Sequence, residues 1–461
     1  MLKCKLYYLL MLTSKQKVAL GGLRWYVLLK GHTACVELLI NAKAMLEARD
    51  PNGMTALLKA TLSGHLDCMK LLLNAKANID TKDSCDHTPL IISILYGHMT
   101  CLQLLIDSKV DLEMKYAGDD TPLFIASRGK HNTEALQLLL NAKADIEARN
   151  DRGETPIHTA ALHGAAASLK LLIEADANIE IRNNENRTPL GTAAKNGHTE
   201  CVRVLVDAKA DLEAKDNEEV TAVFAASANN HPECLKLLID AKANIEAIDL
   251  ADWTPLVMAA FKHNGECLKL LIQAKANVNA TARGMTGLML SCADCAERKT
   301  TCAQLLIDAK ADIDASTDRG VTALIVAIRQ FNLPSIQLLI DAKADLDAKT
   351  PDGITPSALA LSSGDRDLMR LLCNPFRVVA HRYERILLKH ISASSPTKPA
   401  LVHVDDDADN LLLMATKLNR VDDISLILTL NANIEARDKH GTNALMLSAM
   451  NPSGRFGPLL D

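Results

Sequence analysis

The chain is 461 residues long and 48% hydrophobic, yet only 3% of its residues are aromatic. Aliphatic side chains are numerous enough for a large core, and the shortage of rings points to thin modules filled by Leu, Ala and Ile. A net charge of -5 offers nucleic-acid phosphates no general attraction, and no run reaches the ~18 apolar residues of a membrane span.

In chain order, residues 1–30 follow no pattern that recurs later. The apolar run from Leu6 to Leu12 behind Lys3 and Lys5 is short for a signal peptide and lacks a small-residue cleavage pattern. These residues are expected to form a degenerate N-terminal cap. From Gly31 and His32 a phrase begins to return, marked by Thr55, Thr88, Thr121, Thr155, Thr188, Thr221, Thr254, Thr286, Thr322 and Thr355. The spacing is almost always about 33 residues. Thr155-Pro156-Ile157-His158-Thr159-Ala160-Ala161 is one full copy. Gly197-His198, Val204-Leu205-Val206 and Ala208-Lys209-Ala210-Asp211 show the later part of the unit.

Each part of the unit has a physical reason. The threonine is expected to cap a first helix by accepting a bond from an orphan backbone N–H. Proline in the next place, as in Thr88-Pro89 and Thr254-Pro255, fits a first helical turn. Small residues at Ala160-Ala161, Ala193-Ala194 and Ala259-Ala260 let neighbouring helices approach closely. A second helix carries apolar residues at helical spacing, such as Met69, Leu71 and Leu72, which no single unit buries alone. A short extended finger follows, for example Asn178 to Arg182, and a turn such as Asp151-Arg152-Gly153 closes it.

This period and phrase resemble the ankyrin repeat family, whose motif reads Thr-Pro-Leu-His-x-Ala-Ala. The resemblance implies an all-α fold, an ankyrin-repeat solenoid of stacked helix-turn-helix units with β-hairpin-like fingers. It also implies recognition of other proteins through a concave face lined by fingertips and first helices. The family's glycine after the second helix is replaced here by Lys43, Lys76, Lys109, Lys143, Lys209, Lys242, Lys275, Lys310 and Lys343, with Asp176 and Asn431 as variants. A left-handed backbone at that place is expected to be strained for lysine. Acids four residues on, Glu47, Asp80, Glu113, Glu147, Glu213, Glu246, Asp314 and Asp347, are read as the partners of these lysines in solvated rows of paired charge. Asn279 lies in a stretch similar to the finger pattern that asparaginyl hydroxylases modify.

Cys35, Cys68, Cys101, Cys201, Cys234 and Cys267 recur at one place in the second helix, and Cys302 follows a longer unit. They are expected to be reduced thiols of the core. Cys292 and Cys295, with Cys302 beyond, have no convincing fourth ligand for zinc. The repeat array is expected to span 31–376. An insertion at 377–404 follows, with a basic amphipathic helix and a Ser/Pro-rich linker. In that helix Val379, Tyr383, Ile386 and Leu387 share one face, while Arg382, Arg385 and Lys389 share another. Repeats resume over 405–461 and end in an incomplete unit.

No nucleophile, base and stabilising group converge outside the repeat, so no enzyme, cofactor or metal is expected. His32, His65, His98 and His198 occupy a recurrent turn position, and His158 is expected to bond within its own turn. The residue before each threonine is mostly polar in the earlier half, but in five successive later units it is Val220, Trp253, Met285, Val321 and Ile354. These, with Phe261 as a second aromatic anchor and Lys262 and Arg329 as a polar rim, are the candidate protein-binding residues. Tyr96, Arg128, Arg152, His163, Arg187 and Lys195 extend the candidate surface into the earlier repeats. The function expected from the sequence is a non-enzymatic, monomeric, cytoplasmic scaffold or adaptor with a protein partner. The alternative is a regulatory ankyrin fragment of a larger enzyme or channel.

Overall fold

A helix of seven to nine residues is marginal in isolation, because nucleation costs more than so few hydrogen bonds return. Stability has to come from stacking, and the computed structural model shows how the stack is made. It describes residues 32–129, 132–293, 300–346, 348–363 and 365–372, together with 412, 413, 416, 434, 435, 437 and 442–450. The expected N-terminal cap, the 377–404 insertion and most of the resumed repeats lie outside the described residues. The chain divides into two compact units, one of residues 1–259 and 266–276, the other of 260–265 and 277–461.

In the first unit the Thr33–Asn41 helix is followed by regular pairs. These are Ala56–Leu62 with Leu66–Asn74, Pro89–Leu95 with Met99–Asp107, Pro122–Arg128 with Thr133–Asn141, Pro156–His163 with Ala166–Glu174, Pro189–Lys195 with Thr199–Asp207, and Ala222–Ala228 with Pro232–Asp240. First helices pack on first helices of the neighbouring pair, and second helices on second helices. Met69, Leu102, Leu136, Leu169, Val202 and Leu235 form the spine of this unit, each fully buried at the same place in its second helix. In the second unit two short antiparallel strands, β1 (Thr281–Ala282) and β2 (Met285–Thr286), form one finger. They precede the pairs Gly287–Ser291 with Thr301–Asp308, Ala323–Arg329 with Leu333–Asp341, and Pro356–Ser363 with Arg366–Leu372.

The expected caps are present. The Thr55, Thr88, Thr188 and Thr221 hydroxyls accept the N–H of Leu58, Ile91, Gly191 and Phe224. In the second unit Thr286 and Thr322 do the same for Met289 and Ile325. Each such bond contributes about 1 kcal/mol. At Thr155 the cap is reciprocal: His158 Nδ1 accepts from the Thr155 N–H at 3.3 Å and lies 3.0 Å from its hydroxyl. That leaves Nε2 to donate to the Arg187 carbonyl at 2.9 Å, so the ring is neutral, and burial holds its pKa down at about 4.

All nine lysines in the glycine position have positive φ, between 56° and 69°. Their N–H groups close the helix ends, as when Lys43 donates to Ile40 and Ala44 donates to Leu39. This is the terminator that glycine usually makes, with the cost of a side chain added. The lysines are exposed. Among the described residues none of them forms an ion pair with the acid four positions on, which corrects the expected charge rows.

The acids turn instead to the next repeat. Glu47, Glu113, Glu147 and Glu213 accept the backbone N–H of Asn78, Asp145, Asn178 and Asn244 at 2.7–2.8 Å. Glu180, which the lysine spacing did not single out, accepts from Asp211 in the same way. Asp314 accepts from Asp345 in the second unit, where Asn279 Oδ1 serves Asp312. A carboxylate beside an extended backbone gains more from an N–H that points at it than from a mobile ammonium in water.

The recurrent histidines also link repeats, with His98 Nε2 on the Leu62 carbonyl and His198 Nε2 on that of Leu162. Cys68, Cys101, Cys201, Cys234, Cys267 and Cys302 are buried thiols outside any disulfide, as expected. Burial pushes the Cys267 thiol up to about 12. Cys35 departs from the row, since it is disulfide-bonded.

Candidate functional site

The fingers are shaped by one side chain each. Asp50 Oδ1 accepts the N–H groups of Asn52 and Met54, two and four residues ahead. Asp83, Asn150, Asn183, Asp216 and Asp249 repeat the arrangement. In the second unit the Thr317 and Thr350 hydroxyls accept from Val321 and Ile354. Such a turn is available only to a short side chain with an acceptor oxygen, which is why Asp, Asn and Thr hold this place. The residue four ahead is the one immediately before the helix-capping threonine, so its backbone is pinned while its side chain is free to differ.

Neighbouring tips in the first unit are joined through the backbone. Asn184 donates to the Arg152 carbonyl, Asn217 to Glu185 and Leu250 to Glu218. Arg149 reaches both the Gly153 and Arg182 carbonyls, and Arg182 those of Asn186 and Lys215. Rigid tips of this kind hold variable side chains in fixed positions, which lowers the ordering cost of contact with another molecule.

Within the first unit Val220 and Trp253 are half-buried. Within the second, Met285, Val321 and Ile354 are half-buried, while Phe261, Lys262 and Arg329 are exposed. Lys262 Nζ lies 5.6 Å from the centre of the Phe261 ring, a cation–π contact. The residues before the threonines are thus less open than an exposed stripe would be. What protrudes is the residue just after the Asp or Asn. In the finger that ends at Trp253 that residue is Leu250, 67% exposed, and Ile248 on the other side of Asp249 is 42% exposed. The same two places hold Arg149 and Asp151, Arg182 and Asn184, or Lys215 and Asn217 in the preceding fingers. Sequence comparison at a single finger position missed this pair; comparison of all positions would have found it.

In the earlier repeats Leu95 and Tyr96 are both exposed, with Tyr96 stacked on His98. Arg128 and Arg187 have structural partners. Arg128 pairs with Asp120 of its own unit, and Arg187 pairs with Glu185 and, at 2.9 Å, with Asp216 of the next finger. In the second unit Phe331 is exposed at positive φ, where no candidate had been placed.

A family model described as ankyrin repeats (3 copies) matches residues 23–83, 76–150, 123–216, 209–282 and 288–382. The chain belongs to the ankyrin repeat family. No curated protein matches it. Two solved ankyrin structures are similar to parts of it. The ankyrin repeat domain of Bcl-3, a member of the IkappaB protein family, is 27% identical, with 48% of this chain and 99% of that domain covered and a TM-score of 0.44. The human ASB11 ankyrin repeat domain is 25% identical, with 49% and 99% covered and a TM-score of 0.44. Ankyrin repeats are a protein-interaction module. Among the described residues of this ankyrin chain no helix is long and apolar enough to cross a membrane.

Proposed function

We propose that this ankyrin protein is a non-enzymatic scaffold or adaptor that binds a partner protein through its fingers and first helices. The observation that carries the reading is the apolar finger of the first unit, on which Ile248 and Leu250 are exposed beside Trp253. Covering one such aliphatic side chain contributes about 1.5–3 kcal/mol, and a tryptophan anchor adds about 2 kcal/mol or more. The Asp249 turn holds the finger in shape before contact, so little of that gain is spent on ordering it. In the second unit Phe261 with Lys262, the half-buried Met285, Val321 and Ile354, and the exposed Arg329 are proposed as further contact residues.

The test is proximity capture from cells with the native chain, a Leu250→Ser, Trp253→Ala variant and a Trp253→Ala, Phe261→Ala variant. One or a few partners are expected to be lost selectively while the thermal unfolding midpoint hardly moves. Recovery of the same partners at native levels by both variants would reject this surface.

A further inference from the structure

The finger between Thr81 and Thr88 differs from the others in chemistry while sharing their frame. Asp83 Oδ1 takes the N–H groups of Cys85 and His87, each at 2.8 Å, and Asp86 between them has a left-handed φ of 63°. This turn sets the first, third and fifth residues of the tip on one side. At the third and fifth places other fingers carry Asn52 and Met54, Arg152 and Glu154, Glu185 and Arg187, Glu218 and Val220, or Ala251 and Trp253. Here the two places bring a thiol and an imidazole to a carboxylate, and ligand atoms of all three residues lie within 4.8 Å of one another.

We infer that Asp83, Cys85 and His87 form a binding site for a thiophilic divalent metal ion of the zinc class. One sulfur, one nitrogen and one oxygen suit zinc, whereas magnesium and calcium take oxygen ligands. The remaining position is left for water, since Cys85 is exposed and the site opens to solvent.

A second contact, from outside the trio, supports the assignment. His87 Nδ1 lies 3.0 Å from Asp83 Oδ2, and its other nitrogen, Nε2, lies 3.0 Å from the Tyr116 hydroxyl of the next finger. The two rings are stacked with centres 5.1 Å apart. A metal-binding histidine is commonly oriented through its far nitrogen in this manner. On binding, the ion takes the place of the proton between Nδ1 and Oδ2, the ring shifts that proton to Nε2, which then donates to the Tyr116 oxygen, and the Cys85 thiol releases its proton to solvent. Side-chain exposures of 12% for Asp83 and 25% for His87 show that these two ligands are already held against the protein.

The test is a Co(II) titration of the full chain, read by the thiolate-to-metal charge-transfer absorption and followed by Zn(II) displacement. A band that saturates at one equivalent, is bleached by Zn(II) and is absent in Cys85→Ser is expected. His87→Ala and Asp83→Asn should each weaken Co(II) binding at least about 10-fold, and Asp83→Asn retains an oxygen for the turn. Tyr116→Phe should weaken it about 10-fold, as loss of an orienting partner does. Circular dichroism checks that each variant is folded. No band in the native chain, or a band that Cys85→Ser leaves unchanged, would overturn the assignment. Unaltered affinity in Tyr116→Phe would remove the orienting role of that residue.

Discussion

Replacing the acids that link successive repeats should distinguish a hydrogen-bond ladder from a row of ion pairs. Glu147, Glu180 and Glu213 each accept one backbone N–H from the following repeat, at 2.7–2.8 Å and 31 residues along the chain. The three bonds use different donors and acceptors but are linked through Asn178 and Asp211, which take the N–H groups of Glu180 and Glu213, so the sum of three single bonds is the reference against which their coupling is read. A hydrogen bond contributes about 0.5–1.5 kcal/mol net, and at the surface water can replace the lost acceptor, which favours the lower half of that range. A triple change to alanine should therefore cost about 1.5–3 kcal/mol. A triple change to glutamine keeps an acceptor oxygen at each place and should cost less than about 1 kcal/mol. Urea unfolding followed by far-ultraviolet circular dichroism gives the midpoints to compare. Equal losses for alanine and glutamine, together with weakening of the native chain in 1 M salt, would refute the ladder and restore the ion-pair reading.

Two further perturbations follow from the fold. The folded pKa of His158, about 4, lies below its ordinary value of 6.5, so the unfolded chain gains a proton first as pH falls. The stabilisation is complete above pH 6.5 and fades between there and about pH 4, by about 3 kcal/mol in all. His158→Gln should lower stability at pH 7 and flatten that slope, and an unchanged slope in pH-dependent urea midpoints would dismiss the assignment. Lys242→Gly should relieve a left-handed strain of about 1–2 kcal/mol against the ~0.5–1 kcal/mol that glycine adds to unfolded-chain freedom, a net gain of about 1 kcal/mol. A midpoint lower than native would show that the strain at the lysine is smaller than the freedom glycine adds to the unfolded chain, and would refute the estimate.

Much of this architecture was legible because it repeats. Thr88, Pro89 and the buried Leu102 or Val202 recur at fixed offsets, and recurrence reveals both the caps and the spine. What was hidden lay in contacts between one unit and the next. Glu147 looked like a partner for Lys143 because the two are close in sequence, yet the group it serves, the N–H of Asn178, comes 31 residues later. Backbone donors have no letter in a sequence, so the geometry had to supply them. The candidate surface shows the same limit. The residue before each threonine was identifiable as a place that varies, but the turn in which Trp253 is half-buried and Leu250 exposed rests on Asp249, whose role is visible only in its two hydrogen bonds.

Because a carboxylate of one module meets a main-chain amide of the next at joint after joint in the first unit, modules that carry this pair can follow one another in other orders. Excising residues 178–210, for instance, would bring Asp211 to the place of Asn178 opposite Glu147, with an equivalent main-chain donor ready to be received. Duplication and loss of whole modules therefore leave the seams intact, and a lineage carrying this gene is free to lengthen or shorten the array while reshaping only the tips.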